Sequence, residues 1–442
     1  MRRVFRRILV AAAALVPVTV VAQEPLTVGA AVQAAITHNA SLRAARAGLD
    51  EAAARSTEAR SGLYPRLSVG EAWQRGDEPV FVFGSLLSSR QFAASNFAID
   101  ALNQPESIGF FHTTFGVEQL IYDGGRQRAA AASASLGRDV AAAAVDQATA
   151  GIALQTTQTF GRLIASEAAQ RAADAGLESA RQDLTRVEHR RDTGMASDAD
   201  VLSLVVHVAD LRQRAIQASS EAAVARAELN RLMGAPIEAP INAVALTPAE
   251  APSSLGIAAL LTEADAARPE MKRAAAAARV AEKGQSQATA ALIPQIAAQA
   301  AYGMSGTRFT DRAGAWIVGG QIRWTFSTGG AELAGRKAAA AAIARATAES
   351  EDVRAFVHVE VITAVGRVES ARAREMVGRA ATDQARESQR IIRDRFEQGL
   401  AGVNDVLRAS TAVLDAEANR TAAIVDLMVA DAMLRRAVGR LP

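Results

Sequence analysis

Residues 190–207 read RRDTGMASDADVLSLVVH, and residues 395–412 read RFEQGLAGVNDVLRASTA. Set 205 positions apart, they place Gly194 on Gly399 and Asp200-Val201-Leu202 on Asp405-Val406-Leu407. The register runs outward without a gap. Gly124-Gly125 falls on Gly329-Gly330, and Leu229, Arg231 and Gly234 fall on Leu434, Arg436 and Gly439. Farther upstream the offset becomes 229, which pairs Leu42-Arg43 with Met271-Lys272, and Leu63 and Pro65 with Leu292 and Pro294. The chain is therefore an internal duplication, with 24 extra residues in the first copy between Pro65 and Gly124. A repeat of this length sets the architecture before any local propensity is weighed.

Proline placement divides each copy. No proline lies between Pro105 and Pro236, nor between Pro294 and Pro442. Both stretches are rich in Ala, Arg, Glu and Gln, which favour helix. A proline inside a helix costs about 3 kcal/mol, so two such gaps predict very long helices. Each copy reads as helix, strand, strand, long helix, glycine turn, helix. The first copy predicts helices over 27–61, 125–192 and 198–233, with strands near 64–74 and 111–122. The second predicts helices over 256–290, 330–397 and 402–438, with strands near 293–304 and 315–327. At 1.5 Å per residue the long helices span roughly 100 Å. The expected organisation is a leader over 1–22, a first repeat over 23–234, a Pro-rich linker over 235–255 and a second repeat over 256–442.

The strands alternate. Leu67, Val69 and Trp73 share one face, broken by Glu71. Phe111, Phe115 and Val117 share the next face, then Ala298, Ala300, Tyr302 and Met304, then Trp316, Val318, Ile322, Trp324 and Phe326. The opposite rows are small or polar, as in strands with one side in lipid. Every Trp (73, 316, 324) and every Tyr (64, 122, 302) lies in or beside these strands. Trp73, Tyr302, Trp316 and Trp324 are the expected membrane-interface aromatics, because rings with one apolar and one wet end gather there. Four strands cannot close a barrel, and lipid forbids an open edge. Several chains must then share one barrel. Two chains would give eight strands and a filled interior, whereas three would give twelve and a lumen.

The N-terminal end sets the address. Arg2, Arg3, Arg6 and Arg7 precede an apolar run from Ile8 to Val21 that ends at Ala22. This pattern is a secretory signal peptide, too short to span a membrane stably. Removing its four arginines takes the net charge from +2 to about −2, which leaves no basic patch for nucleic acid. Cysteine is absent, so disulfides, thiolate metal sites and thiol catalysis are excluded. The five histidines, at 38, 112, 189, 207 and 358, form no ligand spacing. Gly124-Gly125 and Gly329-Gly330 open helices after strands, but no Lys-Ser/Thr follows and no phosphate loop is present. Neither an enzyme nor a cofactor is expected.

Leu63-Tyr64-Pro65-Arg66-Leu67, Tyr122-Asp123-Gly124-Gly125, the Gly194 turn with Asp200, and their second-copy partners resemble the outer-membrane factor family typified by TolC. The resemblance covers essentially the whole mature chain. It implies a mainly α-helical homotrimer whose chains give four strands each to a twelve-stranded outer-membrane barrel, continued by a periplasmic helical tunnel. It implies an exit duct for efflux or type I secretion. The implied partners are a periplasmic adaptor, an inner-membrane pump of the RND, ABC or MFS class, and outer-membrane lipid. In such proteins the helix turns form the periplasmic entrance and dock the adaptor, which assigns that role to Gly194, Met195, Gly399 and Leu400. A carboxylate just past each turn faces the pore, which assigns Asp200 and Asp405. Ser197-x-x-Asp200 also has the spacing of a capping box. A second acidic ring of the family would fall at Arg408, and a basic locking residue at Ala401. The closed state here is therefore held differently, or less tightly. The 76–110 insertion is expected at the extracellular side, folded on itself or on the barrel mouth because it is rich in Phe and Leu. The alternative from another class is a periplasmic adaptor or structural coiled-coil protein, which would lack the four strands and usually carry a single helical hairpin.

Overall fold

The computed structural model describes residues 25–244 and 256–441. The expected leader, and residues 245–255 of the expected linker, lie outside the described residues. The first repeat runs α1 (Val28–His38), α2 (Ala40–Ser61), β1 (Arg66–Gly76), α3 (Pro79–Ser88), a 3-10 turn (Ala94–Phe97), α4 (Ile99–Asn103), β2 (Ile108–Tyr122), α5 (Arg126–Asp192) and α6 (Asp198–Met233). The second runs α7 (Ile257–Ala267), α8 (Pro269–Ala290), β3 (Gln295–Arg308), β4 (Asp311–Arg323), α9 (Ala331–Glu397) and α10 (Val403–Ala437). The chain is mainly helical, duplicated, and carries one four-stranded sheet.

The first helix of each repeat is broken where the sequence predicts continuity. In repeat one the break is Asn39, whose extended backbone leaves α1 while its carboxamide oxygen accepts from the N–H groups of Ser41 and Leu42 at 2.9 and 3.3 Å. That is an N-cap on α2. In repeat two the break is Arg268, extended because Pro269 follows it. The offset of 229 places Asn39 on Arg268, and both reach the end of the last helix of their repeat. Asn39 Nδ2 donates to the Leu232 carbonyl at 2.9 Å, and Arg268 Nη1 donates to the Arg436 carbonyl at 3.0 Å. Arg268 is 1% exposed and is neutralised by Glu360 at 2.5 Å and Glu270 at 3.0 Å. A buried cation without such partners would not be tolerated.

Burial repeats as well. Ala31, Ala35 and Leu42 are buried in repeat one, and Leu260, Ala264 and Met271 at the equivalent places in repeat two. The first group lies at the joint where Phe160, Leu163, Ala225 and Leu229 pack, and the second against Val357, Val361, Ala364 and Val438. Above these joints α5 packs between α2 and α8, and α8 against α9; below them α5 packs between α6 and α10, and α10 against α9. The helices thus form a layer with α2 and α6 on one edge and α9 on the other.

The sheet has the order β1-β2-β3-β4, every pair antiparallel. Among the described residues β1 pairs only with β2, and β4 only with β3. Facing rungs run Leu67–Val117–Ala300–Val318 and Val69–Phe115–Tyr302–Trp316. The ladder of β4 stops at Arg323, so Trp324 and Phe326 lie just beyond it.

Candidate channel entrance and membrane face

At the far end of the helices, α5 passes to α6 and α9 to α10 through matched turns. Gly194 and Gly399 have φ of +76° and +75°, a region where a Cβ is strained. Met195 N–H donates to the Arg190 carbonyl, and Leu400 N–H to the Arg395 carbonyl, each at 2.8 Å. This closure satisfies the last carbonyls of a helix and usually buries the apolar residue that follows the glycine. Here that residue points outward. Met195 is 72% exposed and Leu400 67%.

Asp200 and Asp405 begin the returning helices. The Asp200 carboxylate accepts from Ser197 N–H at 3.0 Å and from Ser197 Oγ at 2.7 Å, and Ser197 Oγ accepts from Asp200 N–H at 3.2 Å. Hydrogen bonds from the Ser197 hydroxyl, then from its backbone N–H, hold the Asp200 carboxyl below the usual carboxylate range. Asp405 accepts from Gly402 N–H at 3.1 Å. Gly402 has no side chain to return the bond, so this turn keeps half of the box. Both carboxylates are capping groups at helix N-termini, where the helix dipole favours negative charge.

The two turns are tied within the chain by residues that sequence reading did not single out. Arg190 Nη1 and Nη2 donate to the carbonyls of Phe396 and Glu397 at 3.2 and 3.3 Å, and its guanidinium lies 4.7 Å from the Phe396 ring centre. Arg393 Nη2 donates to Ser179 Oγ at 2.7 Å and lies 3.8 Å from Asp183. These contacts span more than 200 positions of sequence, so only the register of 205 hinted that the turns meet. Above them His207 lines a cavity of about 60 Å³ with Asp183, Leu211, Arg393 and Leu407. Burial there lowers the imidazole pKa; Asp210 and Asp183 raise it, and Arg214 lowers it further.

At the other end, one face of the sheet is apolar and exposed, including Leu67, Val69, Trp73, Val318 and Trp316. Tyr302 and Trp316 are cross-strand partners; Trp73 opposes Phe111 nearer the hairpin ends, and Trp324 sits at the helix end. Trp324 lies eight residues past Trp316, one residue beyond the end of β4. At about 3.3 Å per residue and a tilt of about 40°, that is about 20 Å of height. Glu71, the break in the apolar row, is answered by Arg312, whose Nη2 lies 3.1 Å from Glu71 Oε1. Thr113 hydrogen-bonds both groups, and Phe309 packs its ring 3.9 Å from the guanidinium. The partner was not visible in sequence because 241 positions separate the pair.

Among the described residues no helix is long and apolar enough to cross a membrane, and no cluster of His, Cys, Asp or Glu is arranged to hold a metal ion. The apolar sheet face lies at one end of a layer of long helices, and among the described residues neither β1 nor β4 has an outer strand partner. The family description "outer membrane efflux protein" matches residues 31–235 and 260–440, and the chain belongs to that family. It is an outer-membrane protein of an efflux channel family, whose members are transport channels rather than enzymes. The same fold is found in CusC (17% identity, 93% of this chain and 92% of that one, TM-score 0.79). It is found in VceC from Vibrio cholerae (19%, 93% and 96%, TM-score 0.77) and in the CmeC outer membrane channel of Campylobacter jejuni (15%, 93% and 85%, TM-score 0.81). No curated protein sequence matches the chain. The four strands and the family membership set aside the adaptor alternative.

Proposed function

We propose that the chain is one third of a passive exit duct, a homotrimer that carries solutes from a periplasmic adaptor and an inner-membrane pump through the outer membrane. The observation that carries this reading is the coincidence of free edges. β1 and β4 lack outer partners, and the helix layer ends on the same two sides with α2 and α6, and with α9. α6 exposes Leu202, Val206, Ile216 and Val224, and α9 exposes Phe356, Val359, Ile362 and Val377. Three copies give twelve strands, enough for a lumen. The apolar face then meets lipid. Trp324 stands at the periplasmic edge of the apolar band and Trp316 near the other edge, in keeping with a band about 25 Å tall.

In this reading the turns at Gly194 and Gly399 project into the periplasm and present Met195 and Leu400 to the adaptor. Exposed apolar groups on a sharp turn call for a partner that covers them. Asp200 and Asp405 from three chains ring the entrance and favour cations over anions. The ties made by Arg190 and Arg393 do the locking that Ala401 and Arg408 do not supply. The test is the native mass of the mature chain extracted from outer membranes in mild detergent. A trimer is expected; a soluble periplasmic monomer would overturn the reading.

A further inference from the structure

The duplication holds in three dimensions, strand by strand. Move β1 by 229 positions and β2 by 205, and every pair between them lands on a pair between β3 and β4. Leu67–Val117 falls on Ile296–Ile322, Val69–Phe115 on Ala298–Gly320, and Trp73–Phe111 on Tyr302–Trp316. A side chain follows the same rule. Gln119 Nε2 donates to the Leu63 carbonyl at 3.3 Å, and its counterpart Trp324 Nε1 donates to the Leu292 carbonyl at 3.3 Å. The extra residues of the first copy lie at one hairpin tip, over 77–107. They pack Phe81 edge-on to Phe110 at 6.2 Å, on the row opposite Trp73 and Trp316, and so cover neither outer edge of the sheet.

Within the chain, one boundary joins the two repeats: β2 to β3, and α5 to α8 and α10. Its counterpart would join β4 and α9 to the β1, α2 and α6 of another copy. Two features of β4 and α9 are those of a boundary that lacks its other half. β1 pairs with β2 only up to Glu118, yet β2 continues to Tyr122, because β3 pairs with it there through Ala297 and Ile296. β4 has no such partner and stops at Arg323, the counterpart of Glu118. On the helices, Gly161 of α5 lies under α10. A Cβ there would stand 2.6 Å from Val425 Cγ1, 3.8 Å from Val425 Cβ and 3.0 Å from Met428 Cε. Its counterpart on α9, Gly366, is exposed, and a Cβ there would meet nothing within 4 Å.

We propose that β4 and α9 receive a second copy of the chain in the register of the internal boundary. The proposal rests on the trimeric duct and assigns the residues of its seam. Carried across, the β2–β3 pairs set Gly320 beside Trp73 of the next copy, Gln321 beside its Ala72, Ile322 beside its Glu71 and Trp324 beside its Val69. These pairs join like faces. Gly320, Ile322 and Trp324 meet the row of Val69, Glu71 and Trp73, and Gln321 meets Ala72 on the opposite row; a slip of one residue would cross the rows. β4 then runs on to Ser327, as β2 runs to Tyr122. Gly366 receives Ser220 and Ala223 of the next α6, the counterparts of Val425 and Met428. Both are exposed in the single chain, and both are smaller than those counterparts, so the same close approach is open to them. A head-to-tail seam of this kind repeats until the ring closes.

The chain has no cysteine, so paired substitutions read the seam without background. Gly366→Cys with Ser220→Cys sets two Cβ atoms at the 3.8 Å of the internal pair, inside the roughly 3.5–4.5 Å that a disulfide spans. Gln321→Cys with Ala72→Cys tests the strands. Neither bond can form inside one chain, because α5 and α10 stand between α6 and α9, and β2 and β3 between β1 and β4. Full-length channels from oxidised outer membranes should run as covalent trimers after denaturation without reductant. Two shifted pairs, Gly366→Cys with Gln213→Cys and Gln321→Cys with Gln74→Cys, displace one partner by about 10 and about 7 Å. They should link at least about tenfold less. Gly161→Cys with Val425→Cys, whose bond stays inside the chain, calibrates the oxidation. Should the strand variants fail to assemble, the helix pair carries the test. Assembled trimers in which an intended pair stays unlinked, or in which a shifted pair links in its place, would overturn the seam and leave the duct standing. A monomeric native mass for the unaltered protein would overturn both.

Discussion

Replacing Asp200 and Asp405 together by Asn tests the entrance most directly. The carboxylates cap their helices, and an Asn oxygen can still accept from the N–H of Ser197 or Gly402, so the fold should survive. Loss of charge at a helix N-terminus costs about 0.3–1 kcal/mol per site. The effect on ions is what the assay reads. In water a carboxylate about 10 Å from the axis contributes about 0.4 kcal/mol to a passing cation. Screening with a Debye length of about 8–10 Å cuts that to about 0.15 kcal/mol. The two rings of a trimer then sum to about 1 kcal/mol, which enriches cations about fivefold and depletes anions by a like factor. The double variant should therefore lower the cation-to-anion permeability ratio by about an order of magnitude. The assay is the reversal potential of reconstituted trimers in a planar bilayer under a salt gradient. An unchanged reversal potential with intact trimers would refute the reasoning and leave both residues as helix caps alone.

Three more perturbations follow from the same geometry. Arg190→Ala removes two donations to the end of α9 and the contact with Phe396, about 1–2 kcal/mol in all; amide exchange in the last turn of α9 should accelerate and channel open time should lengthen, and unchanged exchange would show that the tie carries nothing. Gly439→Ala combines a φ of +85° with a Cβ that would stand 2.7 Å from the Ala267 Cβ, a cost of about 2–4 kcal/mol. Gly399→Ala meets open space and bears only the left-handed strain of about 1–2 kcal/mol, so thermal melts should rank Gly439→Ala as the more damaging. For pH, the lowered pKa of His207 means that the folded chain takes up its proton later than the unfolded chain does. That contribution to stability is full above about pH 6.5 and is lost as pH falls below it. Asp200, also lowered, adds a second loss below about pH 4. A melting curve that declines from pH 7 to 5 and flattens in His207→Leu would bear out the first step.

Much of the fold was legible because the chain states it twice. The glycines at 194, 234, 399 and 439 all have positive φ, and each ends a helix at the place its spacing predicted. The ends of α5, α6, α9 and α10 fall within about two residues of the expected limits for that reason. The broken first helices were harder. Pro269 announced the break at Arg268 through its effect on the preceding residue, whereas Asn39 carried only the weaker sign of an Asn before a helical run. What the sequence could not supply were pairings across the duplication. Glu71 looked like a flaw in an apolar row until Arg312 came across Thr113 to meet it, and Arg190 looked like a surface charge until the two turns met. The capping role of Asp200 was readable from Ser197-x-x-Asp200. The side of the sheet on which the insertion lies was not, because its phenylalanines would have suited either face.

The duplication also explains how so open a chain can be soluble in two phases at once. A four-stranded sheet in lipid and a helix layer in water each have two raw edges, and each would need its own solution if the edges fell at different places. Here one connection, α2 into β1, puts both raw edges of one side in line, and β4 into α9 does the same on the other. In the trimer proposed above, a single rotation that joins β4 to the next β1 brings α9 to the next α2 and α6. The unpaired strand groups, which lipid penalises most, and the exposed apolar stripes of α6 and α9, which water penalises, are satisfied by the same operation. Strand closure and helix closure are then one equilibrium. A substitution on α9 that weakens the tube, such as Val359→Asp among the exposed residues Phe356, Val359 and Ile362, should release the barrel as well, and the trimer should dissociate in detergent without passing through a form in which only one of the two layers is open.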